Sequence, residues 1–295
     1  MAKRNLFLGT ASGKIGDIVV YRAGGTQRSR VRVVPKDAKT SKQMAQRSRI
    51  GGVVNTYRAG KGLFGESFES RESKQSAYNA FAAVALPTAP YLRKELADVG
   101  GAIPMPMAFS RGSLPSPFAS QAAGENAFTA VVNINATDQP TTIKEISQAL
   151  IDARPCCFKN GSVVLLAAVV YDALVAGDIE GLKPRLVVNK FVLDTTNTDT
   201  PSLPTGFTIS ATATEVTFSY NTTSYGNYVA AAIVLNDDSD GMHVSSADGL
   251  MSPQALQNYN DGTTEAARIE AADSYGASGD KCLLAGKVTD VEDPS

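Results

Sequence analysis

From Ala127 onward the chain alternates short β-branched, apolar segments with clusters of turn residues, and that rhythm constrains the fold more than any other feature. Candidate strands are Ala127–Asn135, Ser162–Tyr171, Arg185–Leu193, Gly206–Ala211, Glu215–Tyr220, Asn227–Leu235 and Lys281–Thr289, with one helix over Thr141–Ala153. Clusters such as Asp194 to Pro201 and Asn221 to Asn227 separate them at intervals typical of sandwiches. The pattern predicts an α+β chain, mainly β, whose larger part is an antiparallel β-sandwich, jelly-roll-like or Ig-like. With 295 residues and 43% hydrophobic side chains, such a core needs neither disulfides nor a metal.

The first hundred residues read differently. Asp17–Arg22 and Gln27–Val34 flank Gly24-Gly25, so a hairpin is expected, because glycine pairs supply the positive φ of tight hairpin turns. Alternation along its second strand puts Arg28, Arg30 and Arg32 on one face and Ser29, Val31 and Val33 on the other. Pro35 ends the strand. A helix from about Lys42 to Tyr57 follows, with Thr40 or Ser41 as N-cap and with Met44, Ile50, Val53, Val54 and Tyr57 near helical spacing. Gly51-Gly52 weakens it. A second helix is expected over Ser73–Ala85, stopped by Pro87 and Pro90, and a short helical piece over Tyr91–Val99. Residues 100–125 are rich in Gly, Pro, Ser and Ala and read as a linker or an extended arm. The expected division is therefore a basic hairpin and helical region (1–99), a linker (100–125) and an acidic β-rich domain (126–295).

Charge follows the same division. Residues 1–94 carry 18 basic and 5 acidic side chains, a net +13, whereas residues 95–295 carry 10 basic and 24 acidic, a net −14. The whole-chain total of −1 hides this. Arg22, Arg28, Arg30, Arg32, Lys36, Lys39, Lys42, Arg47, Arg49, Arg58 and Lys61 are the candidate contacts. Clustered cations release counterions from a nucleic acid, and they also dock onto acidic surfaces of a neighbouring copy.

Catalytic patterns are sparse. One histidine, His243, leaves no two-histidine metal site, and its setting among Asp237, Asp238, Ser239, Asp240 and Gly241 reads as an exposed turn. Cys156 and Cys157 are adjacent and Cys282 is distant, which reads as free buried thiols in a reducing compartment. Gly9 to Ile15 has the outline of a phosphate-binding loop, but it is one residue short and has Ile15 where a magnesium-binding hydroxyl is required. Asn236, Asp238 and Asp240 occupy the first ligand positions of a calcium loop, yet position twelve is Ala247, so an acidic turn is the preferred reading. The expectation is no enzyme, no cofactor and no membrane partner. The longest apolar run, Val163–Tyr171, is about half a membrane span, and the N-terminus has no signal-sequence pattern.

The run from Arg4 to Arg22, with Gly13-Lys-Ile-Gly-Asp-Ile-Val-Val-Tyr21 at its centre, and the later Gln43-Met-Ala-Gln-Arg47 carry a resemblance. They are similar to a family of virion proteins from phages and prophages of gut Bacteroidota and from small circular-DNA viruses, over about the first 80 residues. The resemblance implies a virion structural protein, a major capsid subunit in the leading reading, made in the host cytoplasm and assembled in many copies with other virion proteins and packaged nucleic acid. A tail or connector ring protein and a DNA-binding accessory protein are the rival readings.

Overall fold

The computed structural model describes residues 13–15, 17–23, 26–32, 39–69, 75–221, 226–239 and 241–277. The fold is mixed α/β, with more strand (36%) than helix (29%), and its sheets are antiparallel and include a curled half-barrel. Two compact units divide between Lys39 and Thr40, so neither residue 99 nor the 100–125 segment marks the boundary.

The first unit contains β1 (Gly13–Ile15), β2 (Ile18–Ala23) and β3 (Thr26–Val31), paired antiparallel in the order β1-β2-β3. Val19 lies opposite both Lys14 and Arg30, Tyr21 opposite Arg28, and Val20 opposite Gly13 and Ser29. Of the expected second strand, Gln27–Val31 lies in β3 and Arg32 follows it. Val33 and Val34 lie outside the described residues.

The second unit begins with α1 (Ser41–Ala59), capped by a reciprocal box in which Thr40 Oγ1 accepts from the Gln43 amide and Gln43 answers to the Thr40 amide. Two mid-helix glycines cost about 1 kcal/mol each relative to alanine, but packing outweighs them, since a fully buried Met44 or Val53 each returns about 1.5–3 kcal/mol. Gly51 also has a positive use. A Cβ there would stand 3.0 Å from the Tyr275 hydroxyl and 3.1 Å from Ala97 Cβ, so the glycine admits two neighbours. The buried face is Ser41, Met44, Ala45, Ser48, Gly52, Val53, Asn55 and Thr56, and Ile50 is exposed, contrary to its expected place in the apolar stripe. Small and polar residues fill that face because neighbours approach closely; Asn55 Nδ2 donates to Ala97 O at 2.9 Å and to Gly101 O at 2.8 Å.

Short elements follow: α2 (Lys61–Phe64), α3 (Ala77–Ala85) with Ser76 as N-cap, a 3-10 turn at Leu86–Thr88, and α4 (Lys94–Asp98). The segment expected as a linker is built into the body. Ala102, Met105, Met107, Ala108 and Phe109 are buried, and the segment contributes β4 (Ala108–Ser110) and β5 (Ser120–Ala123). Its backbone is satisfied by tertiary partners, for example Ala102 N to Leu182 O at 2.9 Å, which is why no periodicity announced it.

Next come β6 (Ala127–Asn133), α5 (Ile143–Ala153), β7 (Val163–Ala176), β8 (Ile179–Val192), β9 (Phe207–Ala211), β10 (Glu215–Asn221), β11 (Tyr228–Asp238), β12 (Gly241–Val244), β13 (Ala247–Asp248) and β14 (Leu250–Met251). Two helices with no counterpart in the sequence reading close the described chain, α6 (Pro253–Gly262) and α7 (Glu265–Ser274). The expected strand Lys281–Thr289 lies outside the described residues.

One sheet has the order β5-β6-β10-β9 and another β12-β11-β7-β8, with β14 also on β11. Alternate residues Phe128, Ala130 and Val132 of β6 and Val216, Phe218 and Tyr220 of β10 meet Val164, Leu166, Ala168 and Val170 of β7 and Tyr228, Ala230, Ala232 and Val234 of β11. Leu165, Ala167 and Val169, with Val229, Ala231 and Ile233, face the other way onto Val53, Phe64, Phe81 and Phe109. Both faces of β7 and β11 are therefore covered, which is why these two strands read as unbroken apolar runs. Among the described residues no helix is long and apolar enough to cross a membrane.

Candidate nucleic-acid or subunit interface

Register places all the strand cations but Arg22 together. Antiparallel partners share a face, so Lys14, Arg28 and Arg30 lie on the side of Val19 and Tyr21, and Arg32 continues the alternation, its amide bonded to Asp17 O at 2.6 Å. Lys14, Arg28, Arg30 and Arg32 are all exposed. Arg30 lies over the Tyr21 ring, with Cζ 5.8 Å from its centroid, a cation–π geometry that holds the guanidinium while leaving its edge free to meet an anion. Ile18 and Val31, opposite one another on the reverse side, are 48% and 70% exposed. Arg22 belongs to β2, and Lys36 lies outside the described residues.

The helical cations are distributed otherwise. Lys42, Arg47, Arg58 and Lys61 are exposed, and Lys39, also exposed, has a φ of 46° just before the helix cap. Arg49 is partly buried instead: it covers Tyr91 with Cζ 4.6 Å from the ring centroid and donates from Nη2 to the Tyr91 hydroxyl at 2.9 Å. Thus Arg49 belongs to the folded body as much as to any interface.

Two of the three candidate calcium ligands have protein partners. Strand β11 runs through Asn236 and Asp238, Asn236 is buried with its Oδ1 accepting from Ser162 Oγ at 2.5 Å, and Asp238 is paired with Lys159. Asp240 lies outside the described residues. The cysteines also differ from expectation, since Cys157 is buried but Cys156 is exposed. Burial, and next the neighbouring Cys156, push the Cys157 thiol up to about 11.

His243 proves to be no free turn residue. It sits on β12 at a junction with Glu69 and Ser113, residues too distant in sequence for any local pattern to link them. Glu69 Oε1 is 3.0 Å from His243 Nδ1 and accepts from Ser113 Oγ at 2.6 Å, while Oε2 accepts from the amides of Ser113 at 3.0 Å and Val244 at 2.9 Å. Burial works to raise the Glu69 pKa, but the Ser113 hydroxyl and amide, the Val244 amide and His243 outweigh it and hold the carboxyl at about 2. The three residue types are those of a hydrolytic triad, yet the wiring is wrong for one. Ser113 Oγ is 2.9 Å from the same Nδ1 that faces the carboxylate, whereas a triad uses opposite ring nitrogens for the acid and the nucleophile. What the cluster does is fasten β12 and residues 112–114 to the chain at Glu69.

The chain matches no protein-family model and no curated protein.

Proposed function

We propose that the chain is a non-enzymatic virion structural protein, a capsid subunit of a small bacteriophage, that contacts packaged nucleic acid or a neighbouring copy through its basic N-terminal sheet. The observation that carries this reading is the two-sided chemistry of β1–β3. Lys14, Arg28, Arg30 and Arg32 line one face, and exposed Ile18 and Val31 stand on the other. A cationic face suits phosphate, and an apolar face suits burial against protein; a particle subunit lining a nucleic-acid interior needs both. The two larger sheets enclosing one shared core are read here as a sandwich, jelly-roll-like or Ig-like, that supplies the shell.

Electron micrographs of the purified full chain are expected to show closed particles. Rings or tubes would instead favour a tail or connector role. Nucleic-acid binding is expected to fall steeply with salt, and replacing Arg28, Arg30 and Arg32 together by alanine should flatten the log–log slope by about 2–3. A chain that stays monomeric, or a triple variant that keeps both its salt slope and its assembly, overturns the proposal.

A further inference from the structure

A second cationic feature lies wholly within the second unit. Lys42, Ala45, Gln46, Arg49, Tyr91 and Arg268 line a pocket of about 160 Å³ where the first half of α1 meets Tyr91 and α7. Three of the six are cations, two from α1 and one from α7, stretches of chain distant in sequence. Arg268 is paired with Glu265, whose Oε2 accepts from Arg268 Nε at 2.8 Å, but neither Lys42 nor Arg49 meets a carboxylate among the described residues. Like charges gathered in one concavity repel unless an anion joins them.

The donors fit one kind of anion. Tyr91 is anchored by its amide to Gly262 O at 2.9 Å, and its hydroxyl accepts from Arg49, which leaves the hydroxyl proton to donate. Arg49 Nε is buried and has no hydrogen-bond partner among the described residues, so the protein does not fully satisfy this guanidinium. Lys42 stands in the first turn of a 19-residue helix that has no acidic residue in that turn, so the positive end of the helix adds to the field. The volume is that of roughly five waters at ~30 Å³ each, sufficient for one tetrahedral oxyanion and too small for a whole nucleotide.

We infer that this pocket binds a phosphate group, held by Lys42, Arg49, Arg268 and the Tyr91 hydroxyl. The inference goes beyond the proposed function and does not depend on it, because none of these residues belongs to the β1–β3 sheet.

Calorimetric titration of the full chain with inorganic phosphate, and separately with a short single-stranded DNA, tests it. Saturable phosphate binding is expected, weakened about tenfold by Arg49→Gln and roughly three- to tenfold by Tyr91→Phe, while Lys144→Ala on α5 leaves it within about twofold. Tyr91→Phe removes one oxygen from a ring that stays packed, so it reads the site even if the arginine variant unfolds; melting curves without phosphate check each variant's fold. Loss of DNA affinity in the same variants assigns the phosphate to a nucleic acid, and loss of inorganic phosphate binding alone assigns it to a free anion; either supports the pocket. Absence of phosphate binding, or equal weakening by Lys144→Ala, overturns it.

Discussion

Alanine at Glu69 is expected to lower the unfolding free energy by about 1–3 kcal/mol near neutral pH, the cost of leaving the Val244 amide and the more exposed Ser113 and His243 donors without an acceptor. Four donor atoms converge on that carboxylate, and one of them is the backbone amide of fully buried Val244. Strand β12 is the edge of its sheet. Its Ser245 side turns inward, the Ser245 amide reaching Val234 O at 2.9 Å, while the Val244 amide and carbonyl turn outward to Glu69 and to the Leu114 amide. The carboxylate thus covers an edge that would otherwise present open backbone to another strand. Acid should reveal the same contribution. Because the folded-state pKa of about 2 lies below the ordinary 4.5, the stabilisation is fully present above about pH 4.5 and is lost as the pH falls towards 2. Urea unfolding of the wild type and Glu69→Ala at several pH values should therefore give curves that converge on acidification. A difference that stays below about 0.5 kcal/mol at neutral pH, or that grows in acid, would remove Glu69 from this role.

Phe64→Ala is the other substitution with a large expected effect, a loss of about 3–5 kcal/mol. Phe64 is fully buried at the point where α1, α2, α3 and β4 meet, with ring centroids 4.6 Å from Phe81, 5.7 Å from Phe109 and 6.2 Å from Tyr57. The ring depends on Gly60: a Cβ there would lie 2.2 Å from Phe64 Cε2. Since four elements surround the site, collapse into the vacated volume requires them to move together, which places the cost at the upper end of that range. Equilibrium urea unfolding measures it, and a loss under about 1 kcal/mol would mean that the helices repack freely around the gap.

How much of this was legible beforehand varies by element. Strands such as Val163 to Tyr171, an unbroken β-branched apolar run, and Glu215 to Tyr220, whose apolar residues alternate, are readable from local pattern alone. Helix α5 was readable from its cap and stripe, and it forms with Thr142 and Glu145 in a capping box. Helices α6 and α7 were missed although Ser252 before Pro253 and Thr264 before Glu265 are N-terminal signals, because their polar composition gave no apolar stripe to follow. The 100–125 segment misled for the opposite reason: Gly and Pro usually mark exposed connections, but here they let an extended chain be buried. Arg28, Arg30 and Arg32 fall on one sheet face, as alternation requires, whereas Arg22, paired with Gln27, is out of phase with them. Asn236, Asp238 and His243 meet partners remote in sequence, Ser162, Lys159, Glu69 and Ser113, which no local pattern could announce.

That remoteness has a kinetic side. Glu69 and His243 are 174 positions apart, and Ser113 and His243 are 130 apart, so the junction closes only after most of the chain has been made and gathered. Contacts that form late contribute little to the folding rate and much to the unfolding rate. In a chevron plot, Glu69→Ala should therefore steepen nothing and shift mainly the unfolding limb upward; a slowed folding limb would place the junction in the nucleus instead. An unfolding limb that alone responds would make the edge of β12 a latch that keeps the finished protein shut without taking part in building it.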